Sequence, residues 1–192
     1  MLRALYDWTM AQATHPRALW ILAFVAFVES SFFPIPPDVL MIPMILARPK
    51  QAWLIALVAL VASVAGGLLG YAIGAFAFDQ IGAPMLAAMG KAAAMEAFNT
   101  RFNDFGFWPV LIAGITPFPY KVITIMSGWT GLPLGTFIVT SIIARGVRFF
   151  LIAALLYRFG APVRDFIEKR LGLVFIAFVV LLLGGFYLVK VI

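Results

Sequence analysis

From Gln51 to Phe78 the chain runs 28 residues without a charged side chain. A transmembrane helix needs about 20 predominantly apolar residues, so this run is long enough to cross a bilayer with some tilt. The whole sequence follows suit. Its residues are 64% hydrophobic and 11% charged, against roughly 45–50% and about 25% in soluble domains. Those proportions exclude a soluble globular enzyme, a disordered tail and a secreted disulfide scaffold. The apolar residues run continuously instead of alternating, which argues against a transmembrane barrel. The expected fold class is an all-α polytopic membrane protein.

Other apolar runs are too short to span. Ala18–Val28 has 11 uncharged residues before Glu29, and Val39–Ala47 has nine before Arg48-Pro49-Lys50. Between them lies Phe33-Pro34-Ile35-Pro36-Pro37-Asp38. Two half-helices around a proline-rich tip make a re-entrant hairpin over 18–48, tolerated at membrane depth where protein or water covers the backbone. One kinked span from 18 to 47 is the alternative. Phe105–Tyr120, with Pro109, Pro117 and Pro119, ends at Lys121, and the following run breaks at Gly128-Trp129-Thr130-Gly131-Leu132-Pro133. That pattern reads as a second hairpin over 105–131 and a span over 133–158.

The remaining segments complete the layout. Residues 1–17 read as an N-terminal interfacial segment, its late apolar run unlike a cleaved signal peptide. Residues 84–104 read as an interfacial helix, because Met85, Met89, Ala92, Met95, Phe98 and Phe102 recur at helical spacing. Residues 161–192 read as a connector and a last span, giving about three full transmembrane helices.

The two halves resemble one another. Pro34-Ile35-Pro36-Pro37-Asp38 and Pro117-Phe118-Pro119-Tyr120-Lys121 share the pattern Pro-x-Pro-x-charge, and the two long spans close on Tyr71…Gly74 and Tyr157…Gly160. One full span between the hairpins makes them enter from opposite faces, the inverted-repeat arrangement of many transporters. With a cytoplasmic N-terminus, Arg3, Arg17, Arg48, Lys50, Arg158, Arg164, Lys169 and Arg170 fall inside, and Lys91, Arg101 and Lys190 outside. This satisfies the positive-inside rule.

Five charges fall within apolar stretches: Glu29, Asp38, Lys121, Arg145 and Arg148. Each costs roughly 2.5–3.5 kcal/mol at the bilayer centre on insertion scales, so each should face protein, water or another charge. Arg145 and Arg148 are three residues apart and share a helix face. If the hairpin tips meet at the midplane, two acids and three bases share one polar site, and the surplus of positive charge favours an anionic ligand. The other reading is an ion-pair network that only fixes helix packing. Gly66, Gly70 and Gly74 form a tandem GxxxG suited to close helix approach. Pro34, Pro36, Pro37, Pro117 and Pro119 shape the tips. The net charge of +6 belongs to membrane orientation and anionic lipid, so nucleic acid is not expected. With no Cys and a single His15, no thiolate or His-cluster metal site is expected, and no cofactor. An intramembrane hydrolase has little support, because Ser127-Gly128 lacks a His partner.

At these residues the chain resembles the DedA family, also called the VTT or SNARE-associated Golgi protein family. The resemblance covers residues 18–160. It rests on Glu29 with Phe33–Asp38, the Gly66-Gly67-x-x-Gly70-Tyr71-x-x-Gly74 span, Phe105-Gly106, the Pro117 hairpin ending in Ser127-Gly128, and the helix bearing Arg145 and Arg148. Most members carry RFxPxxR in the second hairpin. Here Gly114-Ile115-Thr116-Pro117 stands at the first Arg and Tyr120-Lys121 near the second, which is similar to the YqaA-like branch. The resemblance implies lipid transport at a bacterial inner membrane. It carries the acidic roles to Glu29 and Asp38, and the basic hairpin role to Lys121.

Two functions follow as expectations. The first is a transporter, flippase or scramblase of an anionic lipid, either a phospholipid or a polyprenyl phosphate. Glu29 and Asp38 would couple protons, and Lys121, Arg145 and Arg148 would bind the head group. The second is a non-transport membrane scaffold for envelope homeostasis. The expected partners are membrane lipids, with homo-oligomerisation left open, and no enzyme activity is expected.

Overall fold

A computed structural model describes residues 15, 17–32, 36–78, 80, 84, 88, 90, 92–116 and 119–169, with backbone alone for 92–95, 161 and 163–169. The expected segment 1–17, apart from His15 and Arg17, lies outside the described residues. So do the first part of the interfacial helix, the last span, Pro34 and Pro117.

The described chain is all-helical. Helix α1 covers Ala18–Ser31, α2 Asp38–Ala47, α3 Ala52–Ala77, α4 Ala92–Asp104, α5 Phe107–Ile115, α6 Tyr120–Trp129 and α7 Leu134–Lys169, with a 3-10 turn at Pro49–Gln51 ahead of α3. Two stretches, Pro49–Ala77 (29 residues) and Leu134–Gly160 (27 residues), are long and apolar enough to cross a membrane. At about 1.5 Å per residue each reaches roughly 40 Å, whereas α1, with 14 residues, and α2, with 10, fall short of the ~30 Å hydrocarbon layer.

Local sequence explains the helix ends. α2 starts directly after Pro36 and Pro37, whose missing N–H groups cost nothing at a helix start. α6 likewise starts after Pro119. α6 closes in a Schellman turn. The Leu132 N–H donates to the Ser127 carbonyl and the Gly131 N–H to that of Gly128, with Gly131 left-handed at φ +67°. The buried Leu132 follows it. Two side chains take carbonyls of this turn: the Tyr71 hydroxyl donates to Leu132 O (2.6 Å) and Asn103 Nδ2 to Thr130 O (2.8 Å). Gly131→Ala should cost about 1 kcal/mol, because a Cβ there meets nothing but must adopt the left-handed conformation. Gly135→Ala, in equally open space within α7, should cost nothing. Thermal unfolding in detergent reads both.

α7 extends past the expected end of its span. It runs through Pro162 to Lys169 and breaks at Phe159 (φ −122°, ψ 18°), since the Pro162 ring clashes with the carbonyl four residues before it, that of Arg158.

Packing gives the short helices their direction. Ala18 and Leu22 of α1 share one apolar cluster with Met44 and Leu46 of α2, Ala52 and Ile55 of α3, and Ala153 and Leu156 of α7. Farther along α1, Phe27 lies on Gly66 and Ser30 on Gly70. α1 therefore climbs from the Ala52 end of α3 to its middle, and α2 returns. At the other end, Val110 and Ala113 of α5, Tyr120 and Ile123 of α6, Leu132 and Phe137 form a second cluster, against Leu68 and Tyr71. α5 runs from Gly106, beside Leu132, to Gly114, beside Ala144. α6 runs from Tyr120, near Gly67, to Trp129, near Gly74. The ends of α1 and α5 and the starts of α2 and α6 thus lie about halfway along the long helices, with α1 and α5 arriving from opposite ends.

The halves also interlock. α1 packs on α3 and α5 on α7, but α6 packs chiefly on α3 and α2 chiefly on α7. The outside is apolar, with Trp20 78% and Phe24 68% exposed, and the inside holds buried Ser30, Ser63, Thr124, Ser141 and Arg145. An apolar outer surface around an apolar core that encloses a few polar side chains suits lipid surroundings.

Candidate functional site

Arg145 lies midway along α7 and is enclosed on all sides. Its Nη2 meets Glu29 Oε2 at 2.8 Å and its Nε donates to Ser63 Oγ at 2.7 Å. The guanidinium lies over the rings of Tyr120 (4.8 Å to the centroid) and Phe149 (4.6 Å), a desolvated cation–π arrangement. Ser30 Oγ donates to Glu29 Oε2 (3.1 Å) and shares a hydrogen bond with Ser63 Oγ (2.7 Å). The Tyr120 hydroxyl donates to Ser141 Oγ. Glu29, Ser30, Ser63 and Arg145 thus form one hydrogen-bonded network across α1, α3 and α7, which Tyr120 of α6 joins through its ring.

Three residues on, Arg148 makes a second pair. Its Nη2 binds Asp38 Oδ2 at 2.5 Å, and its Nη1 donates to the Thr116 carbonyl. Asp38 opens α2 just after the first proline turn, and Thr116 ends α5 just before the second. Arg148 therefore ties the start of α2 to the end of α5. The pairs differ in enclosure: the Arg145 side chain is 2% exposed, against 17% for Arg148 and 14% for Asp38.

The structure thus brings Glu29, Asp38, Arg145 and Arg148 into adjacent pairs. Lys121, in the first turn of α6, is half-buried and makes no ion pair among the described residues. Four of the five expected charges thus pair two with two, and Lys121 takes no part in those pairs. Pro36 and Pro37 border Asp38, and Pro119 borders Tyr120.

Gly66, Gly70 and Gly74 are buried on the face of α3 turned to α1 and α6. A Cβ at Gly66 would overlap the Phe27 carbonyl, one at Gly70 the Thr124 hydroxyl, and one at Gly74 the Ile125 carbonyl. Gly128 answers from α6, where a Cβ would overlap the Tyr71 carbonyl. The close approach lets Thr124 Oγ1 donate to Ser30 O (2.9 Å) and Ser31 Oγ to Gly66 O (2.9 Å). Sequence reasoning passed over Ser30, Ser63 and Thr124, and named Tyr120 and Gly128 only as parts of the second hairpin's motifs. Ser63 carried a signal, being the lone hydroxyl other than Tyr71 in the 28-residue uncharged run.

The VTT domain matches residues 35–158 of this chain. An uncharacterized protein of Haemophilus influenzae is 36% identical over 186 residues, 97% of this chain and 96% of its own length. An uncharacterized protein of Histophilus somni is 40% identical over 168 residues, 85% of this chain and 87% of its own. No solved structure matches.

Proposed function

Because this chain belongs to the VTT-domain family of membrane proteins, also called the DedA family, we propose that it moves an anionic lipid across a bacterial inner membrane, coupled to protons. The observation that carries the reading is the two Arg–carboxylate contacts where the ends of α1 and α5 and the start of α2 come together, inside a body whose outer surface is apolar. Ionised groups are costly at such depth, so their presence calls for work they do there.

In this reading the proline-broken pairs over 18–48 and 105–131 are re-entrant hairpins of an inverted repeat, with α3 and α7 crossing the bilayer and the N-terminus cytoplasmic. The swapped packing of α2 and α6 supports that arrangement. A head-group phosphate binds where charge-assisted hydrogen bonds to arginine replace its water. The two internal pairs cancel, so an entering anion needs a carboxylate neutralised. A proton taken by Asp38 does this at Arg148, while one taken by Glu29 loosens the Arg145 pair so that the helices can move, and release restores each pair when the anion leaves. Lys121 remains available to the head group from α6.

The test is lipid movement in vesicles reconstituted with the purified protein, read with a labelled anionic phospholipid. Wild type should accelerate exchange between leaflets. Arg148→Gln and Glu29→Gln should each reduce it by about tenfold or more, the worth of a hydrogen bond to a charged group, while eluting as intact particles. Wild-type rates in both variants would sink the reading.

A scaffold role draws on one observation, the self-neutralised pairs, which hold helices together without any ligand. It predicts that no lipid moves and that the same variants disrupt the particle.

A further inference from the structure

The two arginines differ in what their guanidinium edges still offer. Arg145 has both atoms of its Nε/Nη2 edge engaged, one on Ser63 and one on Glu29, and its faces are covered by Tyr120 and Phe149. Arg148 uses Nη2 on Asp38 Oδ2, but among the described residues its buried Nε has no hydrogen-bond partner, and neither has the buried Asp38 Oδ1. The Nε/Nη2 edge of a guanidinium matches two oxygens of a carboxylate or phosphate. Here that fork is half made. One donor and one acceptor of the same pair stay unmatched out of water, which buried polar groups seldom do. Arg148 is also held from behind, through Nη1 on the Thr116 carbonyl, so its edge can change partner while the side chain keeps its place.

We propose that the Arg148 edge is a binding site for a tetrahedral oxyanion, a phosphate ester or phosphate, and that Asp38 is its built-in competitor, occupying half of the edge when no anion is bound. Arg145 is then a positioning residue, which holds α1, α3 and α7 in register through Glu29 and Ser63 and does not exchange. This rests on the transport reading for its ligand but not for its test, which measures binding alone. Because Asp38 competes with the anion, removing its charge tightens anion binding, whereas in a merely structural pair it would only loosen the fold.

The experiment compares phosphatidylglycerol bound by purified full-length wild type and variants in phosphatidylcholine nanodiscs, with inorganic phosphate as a separate probe. Asp38→Asn should bind one of the two about tenfold more tightly than wild type. Adding Arg148→Lys should abolish the gain, since lysine offers a point charge without the fork. Glu29→Gln should show no gain. A gain for the lipid but not for phosphate assigns a lipid head group, and a gain for phosphate assigns the free ion. Unchanged affinity for both in Asp38→Asn, an equal gain in Glu29→Gln, or a gain that survives Arg148→Lys overturns the proposal. Should Asp38→Asn not fold, Arg148→Lys alone decides. It keeps the ion pair yet should lose about tenfold in affinity, and unchanged binding there also overturns the site. If Asp38→Asn gains affinity while wild type moves no lipid, the transport reading fails and the site stands. If lipid moves and no gain occurs, the reverse holds.

Discussion

Replacing Arg145 by methionine should destabilise the protein by about 3–5 kcal/mol, because it strands the buried Glu29 carboxylate without its partner. Arg145 is 2% and Glu29 12% exposed, so water cannot take over the lost contact. The loss does not measure the worth of the pair. Desolvating two charges offsets most of their attraction, and replacing both by apolar groups of like volume is often neutral or better. Glu29→Met combined with Arg145→Met should therefore recover most of the stability. Ser30 and Ser63 keep their mutual hydrogen bond in that variant, and Tyr120 keeps Ser141. Thermal unfolding in detergent of the two single variants and the double completes the cycle. A double variant as unstable as the sum of the singles would refute the pairing.

Gly128→Val is expected to be nearly as damaging, costing about 3 kcal/mol or more through overpacking that side-chain motion cannot relieve. The obstacle is backbone: a Cβ there would overlap the Tyr71 carbonyl and lie 2.9 Å from the Ala75 nitrogen. α3 and α6 must then separate, and with them go the contacts of Gly70 and Thr124 that place Ser30 beside Ser63. Gly66→Val should act alike on α1 through Phe27. Gly146→Ala supplies the control, since its Cβ meets only Leu60 Cδ2, at an ordinary 3.8 Å. Folded yield and unfolding temperature should drop for both valine variants and hold for Gly146→Ala. A Gly128→Val protein with an unchanged unfolding temperature would show that the two backbones do not touch.

The sequence made the helices legible wherever apolar length or proline decides them. The uncharged run at 51–78 became α3, and the prolines mark the starts of α2 and α6. It was less clear where a polar residue turns inward. The run ending at Val28 continues as helix to Ser31, because Glu29, Ser30 and Ser31 find partners on α3 and α7. A serine in an apolar run reads as a small packing residue until the opposing hydroxyl is known, so Ser30 and Ser63 went unnoticed. The cost of buried charge pointed to Glu29, Asp38, Arg145 and Arg148, but could not say which acid meets which base. Nor could it say that Lys121, in the first turn of α6, stands outside both pairs. Gly128 drew notice only beside Ser127, because its significance depends on Gly74 across the helix crossing.

The exchange of α2 and α6 between the halves bears on how the chain is made. During synthesis α2 emerges well before α7, so Met41, Met44 and Ile45 must wait for Phe149 and Ala153 to cover them. Asp38 likewise lacks its folded-state partner until Arg148 has been translated. The first half is therefore an open clasp.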